Sequence, residues 1–311
     1  MLKPLQLGQL TLPTNLIQGP LAGYSCAPFR LLVHEFGGAA YTTTEMISAY
    51  ELAHACQQPL RYTYKAPNEG KVCYQISGDD PEDLARAVDI VVARGADLID
   101  LNCGCPQRKI RKKGHGSKLL ANPERLYQLL SAMRQAATVP MSAKIRVDGD
   151  SGESFDQEVV AAIESAGMDF MVVHGRHWRE RYDVSVRLDD IKKFVAMATI
   201  PVIANGDVDD LTSLQRTLDH TQAAGVMICR GSMGRPWLFA QLTALMRGES
   251  FSAPEAASLN QLLQRHVTML AELDGEHSAL LQARSLAKYY CNLDITPYDC
   301  KTLAEFSALL A

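Results

Sequence analysis

Eight short apolar segments alternate with segments of helical periodicity along most of the chain, and this alternation constrains the fold most strongly. Strands that are apolar throughout are typical of a parallel sheet covered by helices on its outer face. Eight strand–helix units over about 245 residues match a closed TIM barrel, (β/α)8, in both length and count. A doubly wound open sheet is disfavoured because no Gly-x-Gly-x-x-Gly follows the first strand. The predicted strands are 15–21, 39–45, 71–76, 97–102, 140–146, 169–174, 201–205 and 225–230.

Helix-start signals lie between these strands. Asp80 and Asn122 are predicted N-cap residues, because a proline at the first helical position and an acidic residue in the first turn follow each of them. Gly167 is predicted to end the helix that precedes it. Further helices are predicted at 154–166, 209–218 and 234–246.

The pattern changes after Arg247, where a small polar linker spans 248–254. The residues beyond it keep helical spacing and contain no strand pattern, which favours three short helices packed together. The sequence therefore predicts two domains, a barrel over 1–247 and a small all-helical domain over 248–311.

The bulk composition excludes some classes of function. The 311 residues are 47% apolar and 21% charged, as in ordinary soluble proteins. A net charge of -4 and a pI near 6.1 argue against a general nucleic-acid binder, although a local basic patch can still bind a polyanion. No apolar stretch of about 18 residues and no export signal are present, so we expect a cytoplasmic protein without a membrane segment.

The cysteines point to the same compartment. Eight of them are scattered through the chain without a CxxC motif, which favours reduced thiols over a disulfide framework. Cys103 and Cys105 form a lone CxC without partners at metal-ligand spacing. We therefore predict no metal site.

Polar residues end nearly every predicted strand. In a TIM barrel the carboxyl ends of the strands carry the active site, and the loops after strands seven and eight commonly bind phosphate. The turns at 205–207 and 230–232 contain glycine and precede helices, as such a phosphate site requires. Lys144 at the end of strand five should meet an anion, either a phosphate or the N1–C2 oxygen region of a reduced flavin. His174 is a candidate hydrogen-bond donor to a cofactor.

Cys105 follows strand four between Gly104 and Pro106. The residues alone leave three roles open for its thiol: a small buried hydrophobe, a nucleophile or a general acid. Six cationic side chains lie within 108–118, and this basic loop favours contacts with phosphate groups. Cationic and aromatic residues also alternate over 176–181, which suits an RNA backbone with an exposed base.

Several motifs together resemble one family, the tRNA-dihydrouridine synthases, which are flavoprotein reductases of uracil in tRNA. The motif Gly-Arg-Pro-Trp at 234–237 most resembles the bacterial B-type branch. The motifs lie at 19–23, 28–30, 44–46, 75–78, 102–106, 144–146, 174–176, 201–207 and 234–237, in the order that the family has.

The resemblance implies a barrel that binds FMN, NADPH as the electron donor, and a C-terminal helical domain that binds tRNA. It implies that uridines of the D-loop become 5,6-dihydrouridine, with hydride from flavin N5 to carbon 6 and a proton from Cys105 to carbon 5. The target uridine must leave its stack to reach the flavin. No membrane and no obligate protein partner are implied.

The resemblance also assigns residues. Cofactor binding is expected for Pro20, Leu21, Ala22, Gln75, Lys144, His174, Asn205, Gly206, Asp207, Cys229 and Arg230. Contacts with tRNA are expected for Asn102 and Arg176 and, in the cationic surroundings of Cys105, for Arg108, Lys109 and Arg146.

Three positions depart from the family pattern: Gly19 replaces alanine, Cys26 stands where aspartate is common, and Cys229 replaces a glycine. A positive φ at Cys229 would strain the backbone. Two alternative functions are another FMN barrel of the dihydroorotate-dehydrogenase type and a tRNA-binding barrel without turnover. The basic loop and helical extension disfavour the first, and the presence of Cys105 and Lys144 disfavours the second.

Overall fold

A computed structural model describes residues 2–54, 60–147, 153–290 and 299–310. Its strands are β1 (Leu5–Leu7), β2 (Leu10–Leu12), β3 (Leu16–Gln18), β4 (Thr42–Thr43), β5 (Ile47–Ser48), β6 (Val72–Ser77), β7 (Leu98–Cys103), β8 (Met141–Arg146), β9 (Phe170–His174), β10 (Val202–Asn205) and β11 (Gly225–Ile228). Its α-helices are α1 (Ala27–Phe36), α2 (Ala49–His54), α3 (Leu60–Thr63), α4 (Pro81–Ala93), α5 (Arg108–Arg111), α6 (Pro123–Ala136), α7 (Glu153–Ser165), α8 (Leu188–Met197), α9 (Leu211–Thr221), α10 (Leu238–Met246), α11 (Ala256–Asp274), α12 (Glu276–Tyr290) and α13 (Leu303–Leu310).

The strands from β3 onward form one parallel sheet that closes on itself. The order is β4, β3, β11, β10, β9, β8, β7, β6, β5, and β4 also pairs with β6 to complete the ring. Each of the eight predicted strand segments overlaps a strand of this barrel, so the TIM-barrel prediction is confirmed. The second barrel strand is broken into β4 and β5, and both pieces pair with β6.

The break has a local cause at Thr44. Its Oγ1 accepts a hydrogen bond from the backbone N–H of Gln75 at 3.1 Å and donates to the carbonyl of Glu45 at 2.8 Å. A side chain therefore replaces part of the strand ladder at this point. The bend turns Glu45 into the protein, where it is almost fully buried.

An antiparallel hairpin, β1 with β2, precedes the barrel and was not predicted. Its Leu5, Leu7 and Leu12 are buried in one apolar cluster with residues from the early parts of the barrel strands, such as Leu98 and Phe170. Burial of such side chains contributes roughly 1.5–3 kcal/mol each. The hairpin therefore closes the amino-terminal end of the barrel.

The predicted helix caps are confirmed. Asp80 accepts hydrogen bonds from the N–H groups of Glu82 and Asp83, and Asn122 accepts one from that of Arg125. Such caps stabilise a helix by about 1 kcal/mol. Gly167 follows α7 with a φ of 76°, a conformation that glycine adopts without strain.

Helices α11, α12 and α13 follow a segment without helix or strand that includes the predicted linker. They pack on the barrel: His266 of α11 stacks on Phe29 with ring centroids 6.1 Å apart, and Arg265 pairs with Glu35 at 2.6 Å. The division at residue 247 stays a prediction. In the described part of the chain, no helix has the length and apolar character needed to cross a membrane.

Candidate active site

A cavity of about 770 Å³ opens at the carboxyl ends of the barrel strands. All but one of the predicted site residues line it, the exception being Arg108, although their roles stay predictions. The lining includes Pro20, Leu21, Ala22, Gln75, Asn102, Cys105, Lys109, Lys144, Arg146, His174, Arg176, Asn205, Gly206, Asp207, Cys229 and Arg230.

Alternation along each strand explains how so many polar groups converge. In β8, Met141, Ala143 and Ile145 belong to the apolar layer between sheet and helices, while Lys144 and Arg146 line the cavity. Successive side chains of a strand point to opposite faces, so every second residue enters the barrel. The same alternation brings the last residues of the neighbouring strands into the cavity.

Lys144 lies deep in this wall, with 8% of its surface exposed. Its Nζ donates to Asn205 Oδ1 at 2.7 Å, and Asn205 Nδ2 donates to the carbonyl of Met227 at 2.8 Å, which fixes the amide orientation. Burial lowers the pKa of Lys144, nearby Arg146 lowers it further, and Cys229 acts in the opposite direction. A buried ammonium of this kind favours an anionic ligand.

His174 is neutral because burial, followed by the charges of Lys144, Arg146, Arg176 and Arg230, holds its pKa far below the ordinary value. Arg176 Nη1 lies 3.2 Å from His174 Nε2. Because a guanidinium only donates hydrogen bonds, Nε2 must accept, and the ring proton is on Nδ1. His174 can therefore offer an N–H donor to a neighbour at Nδ1.

Cys105 is half-buried, and the chain holds it from both sides. Its N–H donates to Asn102 Oδ1 at 2.9 Å, while its carbonyl accepts from both the N–H and the Oγ of Ser117 at 3.1 Å. Gly116 has a φ of 62°, and a Cβ there would lie 2.6 Å from that same carbonyl oxygen. The thiol thus lines the cavity from a fixed turn, unlike the fully buried Cys103.

The turns after β10 and β11 approach each other closely. A Cβ on Gly231 would lie 2.3 Å from the carbonyl oxygen of Val208, so only glycine fits. Gly206 has a φ of 133°, which other residues rarely adopt. Arg230 pairs with Asp207 Oδ1 at 3.2 Å, and its side chain is about half exposed. The two turns thus depend on glycine and lie beside the cation of Arg230. This arrangement matches the phosphate-binding site that the sequence predicts, and phosphate binding itself stays a prediction.

The basic loop, residues 108–118, is not uniform. The side chains of Arg108, Lys109, Lys112, Lys113 and Lys118 are exposed. Arg111 instead lies 3.3 Å above the ring of Trp178 and donates to Ser117 Oγ at 2.8 Å. Arg179 lies 4.9 Å from the same ring, and burial followed by this second cation lowers the pKa of Arg111. The contact joins the basic loop to the loop after β9.

Arg176 is a predicted tRNA contact that the structure places inside the protein, with 1% of its surface exposed. Its guanidinium donates to the carbonyls of Val184 and Tyr182 and to Asp207. Arg176 holds the loop after β9 against the cavity, and direct contact with RNA stays a prediction.

Three residues of this region were not assigned a role from the sequence. Asp100 and Ser142 are buried polar groups inside apolar strands, joined by a 2.6 Å hydrogen bond from Ser142 Oγ to Asp100 Oδ1. Polar residues at alternate positions of these strands were the available signal. Tyr182 lines the cavity with half of its surface exposed, and Arg230 lies 4.0 Å from its ring. No sequence pattern marks Tyr182.

Two of the three departures from the family pattern, Gly19 and Cys229, have a physical account, whereas nothing in the structure explains cysteine at 26. Cys229 has a φ of −109°, so the strain considered for a positive φ is absent. A Cβ on Gly19 would lie 2.5 Å from Cys229 Sγ, so the small residue at 19 makes room for the larger one at 229. Cys26 is buried at the N-cap of α1, and burial raises its pKa to about 11.

Comparisons with known proteins agree with this arrangement. Residues 17–305 match the sequence model of the dihydrouridine synthase family (Dus). A probable tRNA-dihydrouridine synthase 1 from Synechocystis sp. is 37% identical over 290 residues, which cover 93% of this chain and 81% of that relative. The tRNA-dihydrouridine synthase B of Shewanella oneidensis is 34% identical over 288 residues, covering 92% and 89%.

Two solved structures share the fold. Histamine dehydrogenase from Rhizobium sp. 4-9 superposes with a TM-score of 0.60 at 14% identity, over 86% of this chain and 50% of that protein. Morphinone reductase superposes with a TM-score of 0.56 at 12% identity, over 81% and 90%. These likenesses support the barrel alone, whereas the sequence match extends from the first barrel strand to the last helix. The chain belongs to the dihydrouridine synthase family.

Proposed function

We propose that this protein reduces uridines in the D-loop of tRNA to 5,6-dihydrouridine, with FMN as cofactor and NADPH as electron donor. One observation carries the proposal: a half-buried thiol, Cys105, shares a cavity with buried cations in a chain of this family. The relatives from Synechocystis and Shewanella are named as tRNA-dihydrouridine synthases.

The cavity suits FMN in size and chemistry. Its volume lies within the range of cofactor sites, roughly 300–1,000 Å³. Arg230 and the turns at Gly206 and Gly231 would hold the phosphate, while Lys144 and neutral His174 would provide donors to the ring system. Further contacts are proposed for Pro20, Leu21, Ala22, Gln75, Asn205, Asp207 and Cys229. When bound, FMN would supply the hydride that carbon 6 of uracil accepts.

The chain's own residues would complete the reaction. Addition at carbon 6 places negative charge on the uracil oxygen at carbon 4, and the positive potential from Lys144 and Arg146 stabilises that charge. Cys105 donates its proton to carbon 5, which completes the saturated bond. Asn102, whose Oδ1 holds the Cys105 N–H, contacts the substrate from the same wall.

Recognition of tRNA is proposed for two surfaces. The exposed cations of the basic loop, with Arg108 and Lys109 nearest the thiol in sequence, neutralise phosphates, and the helical domain at 248–311 extends the surface. Arg176 and Arg146 shape the wall that the flipped uridine enters. Tyr182 and Trp178 offer aromatic faces beside these cations, as RNA-binding surfaces commonly do.

A cytoplasmic location accompanies this proposal. The cysteines in the described part of the chain, Cys26, Cys73, Cys103, Cys105, Cys229 and Cys300, are free thiols. Free thiols are typical of a reducing compartment, where tRNA is also available.

The proposal is tested with purified protein and tRNA from a strain that lacks dihydrouridine. We expect a flavin absorbance spectrum that identifies FMN after release, NADPH oxidation, and dihydrouridine in the D-loop by mass spectrometry. A colourless protein that FMN cannot reconstitute would overturn the cofactor assignment. Flavin reduction by NADPH without formation of dihydrouridine at any D-loop position would overturn the assignment of the substrate.

The role of the thiol is tested by Cys105→Ala. We expect FMN binding and NADPH oxidation to persist while dihydrouridine formation falls by about 10²–10⁴-fold, because a general acid contributes on that order. Cys103→Ala is the matched control, since that thiol is fully buried two residues away. Wild-type turnover in Cys105→Ala would show that another group supplies the proton.

A further inference from the structure

We propose that Asp100 is a positioning residue that sets the direction of the hydrogen bonds holding Cys105 in place. This inference rests on the proposed function, in which the Cys105 thiol donates a proton to the substrate. Asp100 lies in the middle of β7, two residues before Asn102, and only 3% of its surface is exposed.

A continuous chain of side chains joins Asp100 to the thiol segment. Gln75 Nε2 donates to Asp100 Oδ2 at 2.8 Å, and Asn102 Nδ2 donates to Gln75 Oε1 at 2.8 Å. Asn102 Oδ1 then accepts from the N–H of Cys105 at 2.9 Å and from that of Gly104 at 3.3 Å. All of these groups except the half-buried Cys105 are buried, which strengthens the bonds by lowering the local dielectric constant.

The chemistry of Asp100 dictates this direction. The two ends of a carboxamide have nearly the same shape, so Gln75 and Asn102 could each fit in two orientations. An ionised carboxylate only accepts hydrogen bonds, so Gln75 must turn its nitrogen toward Asp100. Its oxygen then faces Asn102, which must present its own nitrogen there and its oxygen to Cys105.

The opposite direction would loosen the segment that carries the thiol. If the Gln75 oxygen faced the other way, Asn102 would turn its Nδ2 toward the N–H groups of Cys105 and Gly104. Two donors would then face each other, and the segment would lose the anchor on its N–H side, leaving only the bonds from Ser117 to the Cys105 carbonyl. Each amide nitrogen also keeps a second N–H, and both Gln75 and Asn102 line the cavity. By fixing the orientation of Gln75 and Asn102, Asp100 thus also determines where each amide nitrogen, with its remaining N–H donor, lies.

The surroundings of Asp100 favour an acceptor at neutral pH. Burial raises the pKa of Asp100 to about 6, against the opposing effects of hydrogen bonds from Ser142 and Gln75 and of the charge on Lys144. The second carboxylate oxygen accepts from Ser142 Oγ at 2.6 Å. A leucine at this position would be easier to bury, but it could not accept the hydrogen bond that sets the direction of the network.

The test measures the position of the thiol separately from turnover. Asp100→Leu, Asn102→Ala and the double variant are purified as full-length protein, and alkylation of Cys105 by iodoacetamide is followed on its own peptide by mass spectrometry. We expect several-fold faster alkylation in Asp100→Leu and in Asn102→Ala, with no further increase in the double variant. Dihydrouridine formation in Asp100→Leu should fall on the order of a hundredfold in kcat with little change in KM, because small misplacement of a reacting group has that cost.

Asp100→Asn is the conservative rescue variant. It keeps an oxygen that can accept from Gln75, while Ser142 can accept from the new amide nitrogen. We expect alkylation and turnover near those of the wild type. Gln75→Met breaks the same chain one step later and should also accelerate alkylation, which keeps the test available should Asp100→Leu fail to fold.

Wild-type alkylation and kcat in Asp100→Leu would overturn the inference. Additive acceleration in the double variant would overturn it as well, because Asp100 would then act through general loosening and not through Asn102. A wild-type enzyme that forms no dihydrouridine would overturn the proposed function alone, since the alkylation comparison needs no tRNA.

Discussion

The two ends of the barrel interior differ sharply in chemistry although the same strands build both. At the amino-terminal end, the hairpin leucines pack with Leu98 and Phe170 in an apolar cluster. At the carboxyl end, the interior contains Lys144, His174 and Arg176, all buried. One end is an ordinary hydrophobic core, whereas the other is a dense arrangement of polar groups that need partners in each other, in water or in a ligand.

The change occurs within two residues along a strand. In β7 the interior positions run from Leu98 through Asp100 to Asn102, and in β9 from Phe170 through Val172 to His174. Two residues of strand correspond to about 7 Å, so stability and chemistry are separated by roughly one side-chain layer. Substitutions in the side-chain layer at the amino-terminal end should therefore affect stability, and those in the layers toward the carboxyl end should affect ligand binding.

The largest effect is expected for Phe170→Ala at the amino-terminal end. Phe170 is fully buried, with its ring 6.4 Å from that of Tyr41, and its truncation should lower the free energy of unfolding by about 3–5 kcal/mol. The kcat of the folded enzyme should not change, because Phe170 does not line the cavity. Urea denaturation measures the free energy of unfolding, and steady-state assays with tRNA measure kcat. Phe155→Ala, at a partly buried site in α7, is the matched control and should lower the free energy of unfolding by less. A large loss of kcat in folded Phe170→Ala would contradict the proposed difference between the two ends of the barrel.

A pH-dependent effect is expected for Asp100→Asn. Burial raises the pKa of Asp100 from 3.8 to about 6, so the folded protein binds this proton more tightly than the unfolded chain. The stability linked to that proton is fully present below pH 3.8 and is lost as the pH rises through about 6. The unfolding free energy of Asp100→Asn relative to the wild type should therefore rise by about 2–3 kcal/mol between pH 4 and pH 8.

Asp97, just before the same strand, provides the control of opposite sign. Burial alone would raise its pKa, but hydrogen bonds from Lys65 and Lys71 hold the pKa below its ordinary value. Its stabilisation is present above pH 3.8 and is lost as the pH falls through the lowered value. The unfolding free energy of Asp97→Asn relative to the wild type should therefore fall as the pH rises toward 3.8 and change little between pH 4 and pH 8. The same rise in relative unfolding free energy between pH 4 and pH 8 in both variants would contradict the raised pKa of Asp100 and the lowered pKa of Asp97.

A smaller effect is expected for the pair Gly19 and Cys229. Gly19→Ala would place its Cβ against Cys229 Sγ and Met227, and overpacking of this kind costs about 1–3 kcal/mol. The cost should decrease in the Cys229→Gly background, where the sulfur is absent. Thermal unfolding of the single and double variants gives the coupling energy, and additive effects would show that the two sites are independent.

The smallest effect is expected on the exposed surface, at Lys113→Gln. The slope of log affinity for tRNA against log salt concentration should become shallower by about 0.7–0.9, because one fewer phosphate is neutralised. Lys193→Gln, at an exposed site in α8, is the control and should leave the slope unchanged. Filter binding across a salt series measures both, and an unchanged slope in Lys113→Gln would remove this cation from the RNA surface.

Much of the fold could be predicted because the barrel strands are continuous apolar runs separated by strong helix signals. The hairpin at Leu5–Leu7 and Leu10–Leu12 was missed because three-residue strands carry too little periodicity. The break in the second barrel strand was missed because a side-chain hydrogen bond from Thr44 causes it, and sequence periodicity does not register such a bond.

The candidate site was predictable to the extent that strand ends meet at one rim. The residues that orient other side chains were not predictable. In the sequence, Asp100 is a single polar residue in an apolar run, and its partners Gln75 and Ser142 lie on the neighbouring strands. Pairing between strands distant in sequence decides these contacts. Likewise, Arg176 was predicted to face RNA, but its bonds to the loop after β9 depend on how that loop folds back.

The ion pairs around Arg61 join the barrel to the C-terminal helices. Arg61 pairs at 2.6 Å with Glu45, at the break in the second barrel strand, and with Asp274, at the end of α11. Glu45 adjoins Met46 of the cavity wall, so the salt bridges extend from the helical region to the catalytic rim. Recombination that exchanges the C-terminal helices between relatives would have to preserve this charge pattern on both sides. An exchange that removes either carboxylate would leave the buried charge of Arg61 with one partner fewer and should destabilise the junction.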